Sequence, residues 1–141
     1  MARIVVPGQT FVGVFGPPGG GKSTLAPHIA EAIDAKHLDI DDIRAMIFGK
    51  PVPNDGTDPE IKARDDRQMA GTYKAMFGIV EAFLRAEHPL VLTCTLSNKV
   101  HGQDVLKSIY ERYPSATVRI ILCWPEMTLK KMRERFKERA A

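Results

Sequence analysis

A chain of 141 residues, 44% hydrophobic and 26% charged, has the size and composition of one domain with a real core. No apolar run approaches the roughly 20 residues that a membrane span needs, and Met1 to Gly8 is too short, and too soon broken by Pro7, to read as a signal peptide. The net charge of +3 has a location, because six basic residues stand against three acidic ones from Glu126 to the end and the rest of the chain is neutral.

In chain order, residues 3–6 read as a short strand or an ordered arm. Phe11 to Phe15 is an apolar strand, as a parallel strand covered on both faces should be. Gly16-Pro17-Pro18-Gly19-Gly20-Gly21-Lys22-Ser23 follows it and matches G-x-x-x-x-G-K-[ST] at every required position. Such glycines let successive N–H groups turn inward toward phosphate oxygens, and a helix opening at about Lys22 adds the positive end of its dipole. The pattern assigns Gly16 to Thr24 to the phosphates of a nucleoside triphosphate, with Lys22 on the β- and γ-phosphates. The Ser23 hydroxyl is assigned to Mg²⁺.

The helix from Thr24 to Asp34 places Leu25, Ile29, Ala30 and Ile33 at helical spacing, with Pro27 in its first turn. Lys36 to Ile40 reads as a second strand, and Asp41 as the N-cap of a brief helix through Phe48. Residues 49–58 form a loop rich in Pro and Gly. A long helix from about Pro59 to Glu87 carries a core stripe of Met69, Tyr73, Met76, Phe77, Val80 and Leu84. Leu90 to Thr95 is a third strand, and Gly102 to Tyr113 a helix with Val105, Leu106 and Ile109 inward. Thr117 to Cys123 is a fourth strand, and a helix with Leu129, Met132 and Phe136 on one face runs from Pro125 to the end.

Strands alternating with helices predict an α/β fold with a parallel sheet, whose ligands lie beyond the carboxyl ends of the strands. The phosphate loop, Asp41 and the stretch Thr93 to Ser97 all fall at that edge. Cys94 and Cys123 lack C-x-x-C spacing and read as buried free thiols in a reducing, cytoplasmic setting. His28, His37, His88 and His101 are scattered without metal-ligand spacing.

A carboxylate at a strand's end beside a γ-phosphate can accept a proton from an acceptor hydroxyl, and an arginine one turn on can grip an anion. On spacing alone Asp41 is either that base or a helix cap, and Arg44 either grips an anion or pairs with Asp41 on the surface.

The phosphate loop, the first helix and then Asp41-Asp42-Ile43-Arg44-Ala45-Met46-Ile47 resemble the small P-loop kinases related to polynucleotide 5′-hydroxyl kinases and zeta-toxin-like kinases. The likeness runs from Thr10 onward, and its specific part is these two motifs. The resemblance implies a single three-layer α/β/α domain over 1–141, with about four strands in the order 2-3-1-4. It implies an ATP- or GTP-dependent, Mg²⁺-dependent phosphotransferase that uses Lys22, Asp41 as general base, Arg44 on a substrate phosphate, and an arginine of a lid-like helix over about 125–141. Arg133 is the best match for that arginine, with Arg135 and Arg139 as alternatives.

The acceptor would be a polynucleotide 5′-hydroxyl, a nucleotide or a small metabolite. Where the third strand of this group often ends in Asp, this chain has Thr93-Cys94-Thr95-Leu96-Ser97. Metal binding then rests on Ser23, water and nucleotide oxygens, with Asp39 or Asp41 in the outer shell. The fold usually continues past the lid to a fifth strand, whereas this sequence stops at Ala141. The adenine side is then absent through truncation or completed by another part, such as a second copy in a homo-oligomer. The readings that compete with a kinase are simple hydrolysis of a nucleoside triphosphate and a nucleotide-binding module without turnover.

Overall fold

The computed structural model describes residues 4–17, 19–50, 56–95 and 99–123, together with Glu134 and Lys137. Its centre is β1 (Thr10–Phe15), buried at all six positions. Phe11 and Phe15 pack into one core and Val12 and Val14 into the other, following the two-residue period of a strand. β3 (Leu90–Cys94) and β4 (Thr117–Leu122) flank β1 in parallel, and β2 (Lys36–Asp39) pairs with β3. The strand order is therefore β2-β3-β1-β4, the expected α/β P-loop arrangement.

Parallel neighbours need crossovers, and helices supply them on both faces. α1 (Lys22–Ala32) lays Ala26 and Ala30 against Val12, Val14 and Val91. On the opposite face α2 (Ile40–Phe48), α3 (Pro59–Arg85) and α4 (Lys99–Arg112) close a larger core. That core holds Ile40, Ile43, Tyr73, Met76, Val80, Leu84 and Ile109. The expected α3 stripe is present, with Met69 and Phe77 partly buried beside it. Asp58 caps α3 by accepting from the Glu60 N–H at 2.9 Å, and Pro59 fills the first helical position, where its missing N–H costs little.

Several local expectations are corrected. The cap of α2 is Asp39, not Asp41: the Asp39 carboxylate accepts from the Asp41 N–H, and Ile40 opens the helix instead of ending the strand. α4 begins at Lys99, three residues before Gly102. Leu25 faces outward and Ala26 takes the buried position, and α1 begins two residues before Thr24. The same shift puts Pro27 in the second turn of α1, where its missing N–H leaves the Ser23 carbonyl without its helical partner.

The N-terminal segment is an arm, held by the Ile4 N–H donating to the Ala32 carbonyl at 2.6 Å. Residues 51–55 of the expected loop and the expected lid helix, apart from Glu134 and Lys137, lie outside the described residues.

Candidate functional site at the carboxyl edge of the sheet

Because the sheet is parallel, β1, β2 and β3 deliver their last residues to one edge. Phe15 lies beside Cys94, and Asp39 beside Thr93. Gly16 leaves β1 at φ +149°, and its N–H donates to the Cys94 carbonyl at 3.3 Å. A Cβ on Gly16 would run into the Cys123 carbonyl oxygen, and one on Gly20 would come within 2.6 Å of it. The loop thus rests, backbone on backbone, against the chain just beyond β4.

Gly21 caps α1 in the left-handed conformation, φ +88°, with no side-chain hydrogen bond to the helix's first N–H groups. A helix start with free donors, fronted by a glycine around which an added Cβ would meet nothing within 4 Å, is an anion cradle. It opens on a cavity of about 400 Å³ lined by Gly19 to Thr24 on one side and by Asp39, Ile40, Asp41, Cys94 and Thr95 on the other.

The sequence-predicted residues Gly19, Gly20, Gly21, Lys22, Ser23, Thr24 and Asp41 are therefore brought together. Gly16 and Pro17 form the root of the loop, and Lys22 Nζ folds back to donate to the Gly16 carbonyl at 2.5 Å and the Pro17 carbonyl at 3.2 Å. Burial lowers the pKa of Lys22, against the opposing pull of Cys94, Asp39, Cys123 and Asp41. Asp41 moves the other way. Partial withdrawal of its carboxylate from water, then the neighbouring charge of Asp39, raise its pKa, while Arg44 and Lys22 pull it down. Beneath the cavity the Tyr73 hydroxyl and Cys94 Sγ are 3.1 Å apart, and burial with that contact keeps the phenol protonated.

Arg44 is not turned to the cavity's loop side. Its Nη2 donates to Asp65 Oδ1 at 2.9 Å and to Gln68 Oε1 at 3.2 Å, both on α3. Pro18, Ser97 and the arginines at 133, 135 and 139 lie outside the described residues. Asp39, expected only as an outer-shell group, and Cys94, expected only as a buried thiol in a stretch at the ligand edge, both line the cavity.

The cradle fits a triphosphate. Among the described residues no group of three or more His, Cys, Asp and Glu could hold a metal. No helix among the described residues is long and apolar enough to cross a membrane.

A parallel 2-3-1-4 sheet whose first strand ends in a glycine cradle at an uncapped helix start defines a P-loop nucleoside-triphosphate-binding domain. The chain belongs to the AAA domain family, whose model matches residues 12–141. Among solved structures it is similar to a presumed kinase from Chloroflexus aurantiacus J-10-fl, at 16% identity and TM-score 0.67, covering 93% of this chain and 69% of that one. It is also similar to a sugar kinase from Janibacter sp. HTCC2649, at 19% identity and TM-score 0.56, covering 98% and 68%. A chain of the Pnkp1/Rnl/Hen1 RNA repair complex matches at 20% identity and TM-score 0.57, covering 92% of this chain but 37% of that one. No curated protein matches the sequence. At these identities the likeness is one of fold, a P-loop kinase-like domain.

Proposed function

We infer that the protein is a kinase that moves the γ-phosphate of ATP or GTP to a hydroxyl acceptor. The observation that carries this reading is one carboxylate with a raised proton affinity, Asp41, on the wall of the cavity that also holds Lys22 and the free donors of α1. A base works best when its pKa moves toward the working pH, and burial moves Asp41 in that direction.

The glycine-loop amides and the N-terminus of α1 bind the β- and γ-phosphates, and Lys22 leaves its two loop carbonyls to neutralise charge that develops on the transferring group. Asp41 accepts the proton of the acceptor hydroxyl, and the cavity walls hold that oxygen in line. Mg²⁺, held through Ser23 and the nucleotide, would supply further charge neutralisation. The arginines at 133, 135 and 139 are candidates for contacts to the phosphates from the lid side. Arg44 supports the site by lowering the cost of an ionised Asp41. The likeness to kinase folds supports phosphoryl transfer as the reaction class, and the RNA repair chain makes polynucleotide 5′ ends one acceptor class to include.

Label from γ-³²P-ATP, offered with polynucleotide 5′-hydroxyl ends, nucleosides, nucleotides and sugars, tests the reading. Labelled acceptor supports it. Release of inorganic phosphate with no labelled acceptor from the panel would replace it with hydrolysis, and binding with neither product would replace it with a nucleotide-binding module.

A further inference from the structure

Two carboxylates face the cavity, and hydrogen bonding separates them. Asp39 is fully engaged: Oδ1 accepts from the Asp41 N–H at 2.8 Å and Oδ2 from Thr93 Oγ1 at 2.5 Å. Thr93 is 1% exposed and sits directly across the β2–β3 ladder from Asp39. Its hydroxyl has one proton to give. The Leu38 carbonyl, at 3.5 Å, is a much poorer acceptor than Asp39, so the proton goes to the carboxylate. With that proton spent, Thr93 Oγ1 is an acceptor toward His37 Nε2 at 3.3 Å, which makes His37 the donor. Donation therefore converges on Asp39, from His37 through Thr93 on the strand side and from the Asp41 N–H in the first turn of α2.

We propose that Thr93 and Asp39 are positioning residues: Thr93 locks Asp39 as the cap of α2, and the cap sets where Asp41 stands in the cavity. Building on the kinase reading, this deepens it by assigning the two carboxylates different duties. Each Asp39 oxygen accepts one hydrogen bond and the side chain is held in place, whereas no hydrogen bond ties the Asp41 carboxylate among the described residues. Asp41 follows its own backbone, and its backbone follows Asp39. Without the Thr93 hydroxyl the Asp39 carboxylate is free to rotate, and the Asp41 N–H loses its acceptor.

Thr93→Val keeps the shape of the side chain and removes the hydroxyl, and Thr93→Ser restores the hydroxyl. Amide exchange of Asp41, followed by NMR on the nucleotide-free full chain, is expected to speed up about tenfold in Thr93→Val and to return to the wild-type rate in Thr93→Ser, since a displaced cap exposes that donor. In acceptor labelling, kcat is expected to fall about ten- to a hundredfold in Thr93→Val with KM for ATP within about twofold, and Thr93→Ser to recover most of it. Unchanged Asp41 exchange in Thr93→Val overturns the lock, and faster exchange with unchanged kcat overturns its role in positioning. Full activity of Asp41→Asn would instead remove the base from the kinase reading, while the exchange measurement would still decide whether Thr93 sets the cap.

Discussion

Arg44 and Asp65, 21 residues apart in the chain, meet at 2.9 Å between α2 and α3, with the two side chains 17% and 23% exposed. The guanidinium also reaches Gln68 and the Met69 sulfur, and its Nε is buried with no hydrogen-bond partner. This is the polar clamp between the helix that carries Asp41 and the longest helix of the domain. Removing Asp65 leaves the Arg44 guanidinium largely withdrawn from water without its carboxylate, with Gln68 and the Met69 sulfur beside it. Asp65→Ala is expected to cost about 1–3 kcal/mol of stability, measured by urea unfolding. A double-mutant cycle with Arg44→Ala should show the two losses to be far from additive, and strict additivity would mean the pair contributes nothing as a pair.

Nucleotide binding should be visible without any acceptor. With MgATP at a hundred times its dissociation constant, the folded state gains about 2.7 kcal/mol, read as a rise in Tm. Lys22→Ala is expected to leave far-ultraviolet circular dichroism unchanged and to lower γ-phosphate transfer by about 10²–10³-fold, in line with loss of a group that acts on developing charge. Wild-type transfer by that variant would contradict the role given to the cradle.

The two glycines at the ends of the loop should respond differently to a methyl group. At Gly21 an added Cβ meets nothing, so Gly21→Ala bears only the strain of a left-handed backbone, about 1–2 kcal/mol. At Gly16 the added Cβ meets the Cys123 carbonyl, which belongs to a backbone and cannot swing aside. Gly16→Ala should therefore be the more destabilised of the two in chemical denaturation, and should lose protection by MgATP. Equal losses would show that the loop and the end of β4 are not in contact in solution.

The raised pKa of Asp41 sets a sign for its effect on stability. The folded chain holds this proton more tightly than the unfolded one. Stability therefore falls as pH rises from the ordinary carboxylate range through the native value of Asp41, and the loss is complete above it. Asp41→Asn carries no such penalty. Thermal melts from about pH 3 to pH 8 should show the variant gaining on the wild type as pH rises. A gap that stays constant, or runs the other way, would mean that Asp41 is not withdrawn from water.

Much of this architecture was legible because two periodicities and one motif agree. The apolar run 11–15, the glycine loop and the Met/aromatic stripe of α3 each demand one kind of element, and right-handed crossovers then leave few sheet orders. What stayed hidden was choice between near-equivalents and contact across distance. Asp39 and Asp41 are both good caps two residues apart, and only the pairing of Asp39 with Thr93 selects between them. Leu25 and Ala26 are neighbours, Ile29 and Ala30 stand one turn on, and spacing alone does not choose which of the two turns to the sheet. Arg44 has an acidic neighbour one turn back, so local spacing offered only Asp41 or a bound anion as its partner. Its actual partner is brought in by the packing of α2 on α3, which no local pattern encodes.

The phosphate loop leans on a carbonyl, not on a side chain. Gly16 and Gly20 crowd the oxygen of Cys123, whose own N–H donates to Phe15 at 2.7 Å, so β1, the loop and the last rung of β4 share one ladder of main-chain contacts. Stiffness imposed at one rail of that ladder must reach the other. A filled cradle would therefore quiet the outermost strand at the far side of β1, and the Cys123 amide becomes a spectator whose slowed deuterium uptake reports occupancy from outside the pocket.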